Sequence, residues 1–217
     1  KYITDLSLNK DLYNAVLDYS RTKGGQQLEG YKKKYLDDTI RDFRRSGLSL
    51  SDEKREKVKA LFNDLSDLGL AFSKNIADYQ DTLFLSEDEM EGLPEVYKIE
   101  RHQKDGRYAV DMSYPSIGPY FKLAESDKSR KELRFRYNNR AKESNLEILD
   151  NIIRKRNQLA DMLGYRSYAE YRTEYRMAKN PENVWSFEKD LIAKVRKKAE
   201  ADVNIMLTIK SDRDGNV

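Results

Sequence analysis

Apolar residues along this chain recur mainly at spacings of three and four, the period of a helix that buries one face. Between residues 4 and 20, Leu8, Leu12, Val16 and Tyr19 keep that spacing, and Lys23-Gly24-Gly25 closes the element. A second helix is predicted from Gln26 to Ser46, with Leu28, Tyr31, Tyr35, Leu36, Ile40 and Phe43 inward and Gly47 at its end. Ser51 stands as N-cap of the longest helix, with Asp52 and Glu53 in a first turn whose dipole favours acids. Val58, Leu65, Phe72 and Tyr79 then repeat every seven residues, with Leu61 and Leu68 between them and Asn75 as a polar break. Such a seam joins a helix to its neighbours in a bundle or to a second copy, and the bundle is the expectation here.

The pattern changes over residues 83–118. Ser86 and Glu89 form a capping box for one short turn, which Gly92-Leu93-Pro94 stops. Val96, Tyr97 and Ile99 precede an Asp105-Gly106 turn, after which Tyr108, Val110 and Met112 alternate with Ala109, Asp111 and Ser113. Period-two alternation beside a glycine turn predicts a short β-hairpin near 96–112. Pro115, Gly118 and Pro119 predict an irregular stretch behind it.

Helix returns at Ser129, where Ser129 and Glu132 again match a capping box ahead of Leu133, Phe135, Tyr137 and Ala141. Residues 145–185 carry the clearest punctuation. Leu149, Ile152, Ile153, Ala160 and Leu163 define one helix, and Gly164 can end it in a left-handed conformation. Ser167 with Glu170, and Asn180 with Pro181, start two more. Trp185, Phe187, Leu191, Ile192, Val195, Ala199, Val203 and Met206 extend the last helix to about Ile209, before a turn-rich exit over about 210–217. The fold expected is mainly α: one helical region over 1–217, a bundle of five to seven helices with one short β-hairpin. No internal repeat or low-complexity segment interrupts it.

Composition sharpens this picture. Only 38% of the 217 residues are hydrophobic and 36% are charged. Amphipathic helices with solvated faces give that balance, and so does a segment whose apolar faces are completed by further chain. Fifteen Tyr and seven Phe supply a core and argue against disorder. Lys and Arg number 41 against 38 acids and are interspersed with them, unlike the concentrated basic face that nucleic acid requires. There is no cysteine, hence no disulfide, which suits the cytoplasm first and an exported protein also. No apolar run approaches the ~20 residues of a membrane span. The chain opens at Lys1 without methionine, so the expectation is that its native N-terminus lies upstream.

Candidate chemistry is sparse. His102, the one histidine, stands among Arg101, Gln103 and Lys104 and reads as an exposed loop residue. The acidic runs Asp37-Asp38 and Glu87-Asp88-Glu89 read as solvated surface, since spacing alone establishes neither a glycosidase pair nor a metal site. The Tyr/Arg run from Tyr165 to Arg176 could stack bases, but Tyr168, Tyr171 and Tyr175 share one helical face and Glu170 and Glu174 break the charge. Tyr171 and Tyr175 are expected to pack inward. No phosphate loop or nucleophile elbow occurs.

Several stretches together carry a resemblance: FRRSG (Phe43 to Gly47), LSEDEMEGLP (Leu85 to Pro94), NNRAKESNLEILDNI (Asn139 to Ile152), Arg156 with Ala160, Leu163, Gly164 and Tyr165, then Tyr168 to Tyr171, and Met177 to Pro181. In this order they resemble the thimet oligopeptidase family of zinc metallopeptidases, which includes oligopeptidase A and dipeptidyl carboxypeptidase. The resemblance implies a helical, non-catalytic N-terminal part of a longer enzyme that hydrolyses short peptides in a channel between two halves. It implies zinc as cofactor, oligopeptides as substrates and a C-terminal catalytic half as intramolecular partner. The family's zinc is held through an HExxH helix further downstream, and a catalytic zinc takes three protein ligands. With one histidine and no cysteine, this segment is expected to carry no catalytic, cofactor-binding or metal-ligating residue. A stand-alone helical binding module with an apolar groove is the alternative.

Overall fold

A computed structural model describes residues 2–214. In chain order it holds α1 (Tyr2–Ser7), α2 (Lys10–Arg21), α3 (Lys23–Gln26) and α4 (Gly30–Phe43), with a π-helical turn, Arg44–Leu48, behind α4. Then come α5 (Asp52–Ala77), β1 (Thr82–Leu85), a 3-10 turn at Asp88–Met90, α6 (Glu95–Arg101) and β2 (Tyr108–Asp111). The remainder is helical: α7 (Tyr114–Leu123), α8 (Asp127–Asn138), α9 (Lys142–Met162), α10 (Tyr168–Thr173) and α11 (Pro181–Asp214). The mainly-α class with one two-stranded antiparallel sheet is borne out. Seven of the described helices reach ten residues, the number at the upper end of the expectation; α1, α3, α6 and α10 are short additions.

The chain divides into two compact units. One comprises residues up to 61 together with those from 156 onward; the other is Phe62–Lys155. The first packs Leu36, Ile40, Phe43, Leu48, Val58, Leu159, Ala160 and Tyr171 out of solvent. Asn9 splits the first predicted helix into α1 and α2, because its side chain accepts from Leu12 N and makes it the N-cap of α2. The α9 terminus follows the glycine expectation closely. Gly164 has φ +84°, Tyr165 N donates to Ala160 O at 2.9 Å, and Gly164 N donates to Asp161 O at 3.1 Å, the paired bonds of a Schellman stop. Asn180 Oδ1 accepts from Asn183 N at 2.7 Å and opens α11 as expected. That helix continues past Ile209 through Asp214, so residues 210–214 are helical where an exit was expected; residues 215–217 lie outside the described residues. It buries no described side chain: Trp185, Phe187, Leu191, Ile192, Val195 and Met206 are all exposed.

The second unit holds an apolar cluster in which Leu85, Met90, Tyr108, Val110, Tyr120 and Leu133 are almost fully buried. Its sheet corrects one expectation. β2 pairs with Thr82–Leu85, in register Leu85↔Tyr108 and Leu83↔Val110, and not with residues 96–99. The Asp105-Gly106 turn does form, closed by Gln103 N donating to Arg107 O at 2.7 Å, but it links only an isolated His102↔Tyr108 bridge. Residues 95–101 are helical behind Pro94, with Tyr97 buried and Val96 and Ile99 exposed. A short apolar run does not by itself separate strand from helix, and here the tertiary partner decides.

A second correction concerns residues 114–123, which form α7 despite two prolines. Pro115 lies in the first turn, where its missing N–H goes unneeded. Pro119 cannot donate to the Pro115 carbonyl, and its ring crowds that oxygen. Arg101 Nη2 supplies the donor instead, at 3.2 Å, and Tyr97 Oη donates to the adjacent Ser116 O at 2.6 Å. Two side chains of α6 thus keep a proline-bearing helix satisfied. The α8 start also differs: Ser126 is the N-cap, accepting from Ser129 N, while Ser129 is buried within the helix.

Gly92, at φ +82°, passes close under the end of α7: a Cβ there would lie 2.2 Å from Leu123 O. Gly69, within α5, has nothing within 4 Å of the same position. Gly92→Ala is expected to destabilise the fold by more than about 2 kcal/mol, since both backbone conformation and space refuse the methyl. Gly69→Ala is expected to stabilise it by about 0.5–1 kcal/mol through helix propensity. Urea unfolding of the two variants checks the opposite signs.

Candidate functional site

Several of the stretches that carry the resemblance supply polar clusters, one around Arg45 in the first unit and one around Glu89 in the second. In the first, the turn after α4 sends Arg45 inward. Its guanidinium donates to the Tyr171 carbonyl, lies 4.7 Å from the ring centres of both Tyr171 and Tyr175, and pairs with Glu174 at 3.3 Å. Tyr165 Oη completes the set by donating to Glu174 Oε2 at 2.6 Å. Burial foremost, with the Glu174 carboxylate second, raises the Tyr165 hydroxyl pKa and keeps it a donor. The side chains of Leu163 and Val58 approach Gly47 closely beneath this turn. FRRSG, LGY and YAEY are therefore parts of one packed junction.

The LSEDEMEGLP stretch builds the second hub. Glu89 accepts from Ser86 N at 3.0 Å, as its capping role predicts, and from Ser129 Oγ at 2.5 Å. Its own carbonyl accepts from Tyr120 Oη at 2.8 Å. Burial works against the charged carboxyl of Glu89, but the bonds from Ser129 and Ser86 outweigh it and hold the pKa below the usual value. Burial pushes the neighbouring Tyr97 hydroxyl up to about 12. Apart from this cluster, NNRAKESNLEILDNI places Asn145, which is buried, donates to Phe72 O at 3.1 Å and accepts from Asn75 at 2.9 Å. The polar break in the α5 seam is thereby a specific amide pair.

Other candidates fall apart chemically. His102 is exposed, its ring edge-on to Tyr108 at 5.2 Å. Asp37 pairs with Lys33 at 2.5 Å and Asp38 with Lys34 at 2.9 Å, ordinary one-turn pairs on a helix surface. Glu87 binds Lys98 at 3.2 Å and the Tyr108 hydroxyl, and does not face Glu89. Tyr171 is buried as expected, but Tyr175 is 51% exposed, because α10 stops at Thr173 and leaves only the ring face covered by Arg41 and Arg45. Among the described residues no three or more His, Cys, Asp or Glu side chains gather where a metal could sit. The residues present do not fit a zinc centre. No described helix is long and apolar enough to cross a membrane.

What the sequence pattern did not reveal is an apolar groove in the first unit. It has a volume of about 960 Å³ and runs between α1, α2 and α4, lined among others by Leu6, Leu12, Tyr19, Tyr31, Tyr35 and Phe43. Tyr31 and Tyr35, expected inward, are 80% and 75% exposed on its rim. At 3.6 residues per turn Tyr31 and Tyr35 lie roughly 100° or more around α4 from the buried Leu36, Ile40 and Phe43, beside that face and not on it. The roles of Arg45, Tyr97 and Arg101 were likewise missed. Only the Pro115 and Pro119 spacing hinted that a carbonyl in this stretch would need an outside donor.

Residues 120–216 match the family description Peptidase family M3. A thimet-like oligopeptidase of Dictyostelium discoideum is 32% identical over 195 residues, covering 87% of this chain and 29% of its own length. Saccharolysin of Saccharomyces cerevisiae is 28% identical, covering 96% and 30%, and oligopeptidase A of Salmonella typhimurium is 28% identical, covering 94% and 32%. These matches bear out the resemblance read from the sequence. The chain spans about 30% of the length of these relatives.

Arg45→Ala is expected to cost about 2–3 kcal/mol in urea unfolding, as a carbonyl, a carboxylate and two ring faces lose their donor. Arg45→Lys is expected to recover little, because an ammonium neither forks nor stacks in the same way. Glu89 gives a pH dependence of definite sign. Its folded pKa lies below 4.5, so its contribution is complete above that pH and is lost as the pH falls through the folded value. Acid titration of stability should therefore flatten below pH 4.5 in Glu89→Gln relative to the parent.

Proposed function

We propose that the chain forms the non-catalytic helical part of a zinc-dependent oligopeptidase, since its similarity to enzymes of that kind extends over nearly its whole length. The observation that carries this reading is the similarity itself: 94% of this chain matches 32% of an enzyme named oligopeptidase A, and 87% matches 29% of one named a thimet-like oligopeptidase. In this reading the metal and the general base come from further sequence, since the side chains here do not assemble a zinc site. The helices then act sterically. They wall one side of a channel, admit unstructured short peptides and exclude folded proteins, whose backbone cannot reach a recessed metal. The exposed apolar face of α11 and the groove beside α4 supply surface for that further sequence to cover.

A second reading has one observation in its favour. A groove of about 960 Å³ with mostly apolar lining is the size and character of a binding site, so the chain could serve as a helical binding module by itself.

Hydrolysis of a short quenched-fluorescence peptide separates the two. The product of a reading frame continuing into HExxH is expected to cleave it and to stop when zinc is chelated, while the 217-residue chain leaves it intact. Chelator-sensitive cleavage by the 217-residue chain, or an inert and zinc-free long form, would contradict the proposal.

A further inference from the structure

The sheet of the second unit has one edge without a partner. β1 pairs with β2 alone, and among the described residues no further hydrogen bond engages the backbone of Thr82–Leu85. In an antiparallel pair alternate residues direct N–H and C=O away from the partner, so half of this strand's backbone groups point outward. A groove of about 460 Å³ lies along it, lined by Leu83, Phe84 and Leu85 from β1 and by Lys128, Lys131 and Phe135 from α8. Three consecutive residues of one strand cannot turn their side chains to one face, so the groove follows the strand's edge and not a face of the sheet. Phe84 and Phe135 are exposed there, at 48% and 61%.

The charges on the groove are not balanced in effect. Glu132 is held by Arg136 at 2.7 Å, and Glu89 by Ser86 and Ser129. Among the described residues neither Lys128 nor Lys131 forms an ion pair, although Lys128 lends a field to Glu89. An open strand edge, two exposed rings and two available ammonium groups describe a receptor for an extended backbone that carries a carboxylate.

We propose that this edge binds an extended peptide as a third strand, with its C-terminal or side-chain carboxylate toward Lys128 and Lys131. The proposal rests on the reading that peptides are this protein's ligands, and adds a holding site formed wholly within residues 82–135. Backbone pairing gives it tolerance of sequence, and the lysines give it direction.

The test uses the 217-residue chain and an acetylated hexapeptide of alternating Thr and Val with a free C-terminal carboxylate. Saturable binding with slowed amide exchange confined to residues 82–85 and the facing side of α8 is expected. N-methylation of alternate peptide nitrogens, which leaves the protein untouched, should weaken binding by at least about tenfold. C-terminal amidation of the peptide, or Lys131→Gln in the protein, should each weaken it by about threefold. The proposal fails if the peptide does not bind, if N-methylation makes no difference, or if protection appears elsewhere. It fails also if residues 82–85 are protected without peptide in a concentration-dependent dimer, which would assign the edge to a second copy. None of these outcomes bears on hydrolysis by the long form, so the two readings stand or fall separately.

Discussion

Backbone groups released where helices end or bend must find partners, and this chain has little apolar surface with which to hide them. With 36% of its residues charged, it meets that constraint by reaching polar side chains across long sequence separations. Arg45 donates to Tyr171 O, Tyr97 to Ser116 O, Arg101 to Pro115 O, Tyr120 to Glu89 O and Asn145 to Phe72 O. Each of these bonds fixes one element against another at a point where apolar contact alone would allow sliding. A buried polar group left without its partner costs more than a satisfied one gains, which makes such sites sensitive to substitution.

The same bonds give the recognisable stretches of sequence a structural role. FRRSG and YAEY meet around one guanidinium; LSEDEMEGLP and NNRAKESN supply the carboxylate and the amide that tie down the second unit. Donor geometry and ring faces suit these residues to those contacts. A helical frame pinned in this way keeps its shape while large apolar side chains, such as those along α11, stay exposed.

How far this was legible in the sequence varied with the kind of signal. Local punctuation read well: the glycine stop at Gly164, the caps at Ser167 and Asn180, and the bond from Ser86 N to the Glu89 carboxylate all form. Signals resolved by tertiary partners read poorly. Thr82–Leu85 was passed over as the partner of β2 because four residues are too few to show a period, and α7 because its two prolines have their compensating donors on α6. The outward turn of Tyr31 and Tyr35 was equally hidden, since helical spacing gives a stripe but not the direction it faces. For the site, the sequence offered only sparse candidates, and the structure leaves His102 and the acidic pairs scattered while bringing Arg45, Tyr165, Tyr171 and Glu174 together.

The central claim is that polar hubs built from the recognised stretches hold this chain together, while α11 contributes little to its stability. Native-state amide exchange on the 217-residue chain measures that directly, residue by residue. The account requires the slowest exchange at the helix turns joined by Arg45 and Tyr171 and by Glu89, Tyr120 and Ser129, with exchange along α11 close to that of an isolated helix. Protection of α11 equal to that of the hubs, or rapid exchange at Tyr171 and Tyr120, would contradict it.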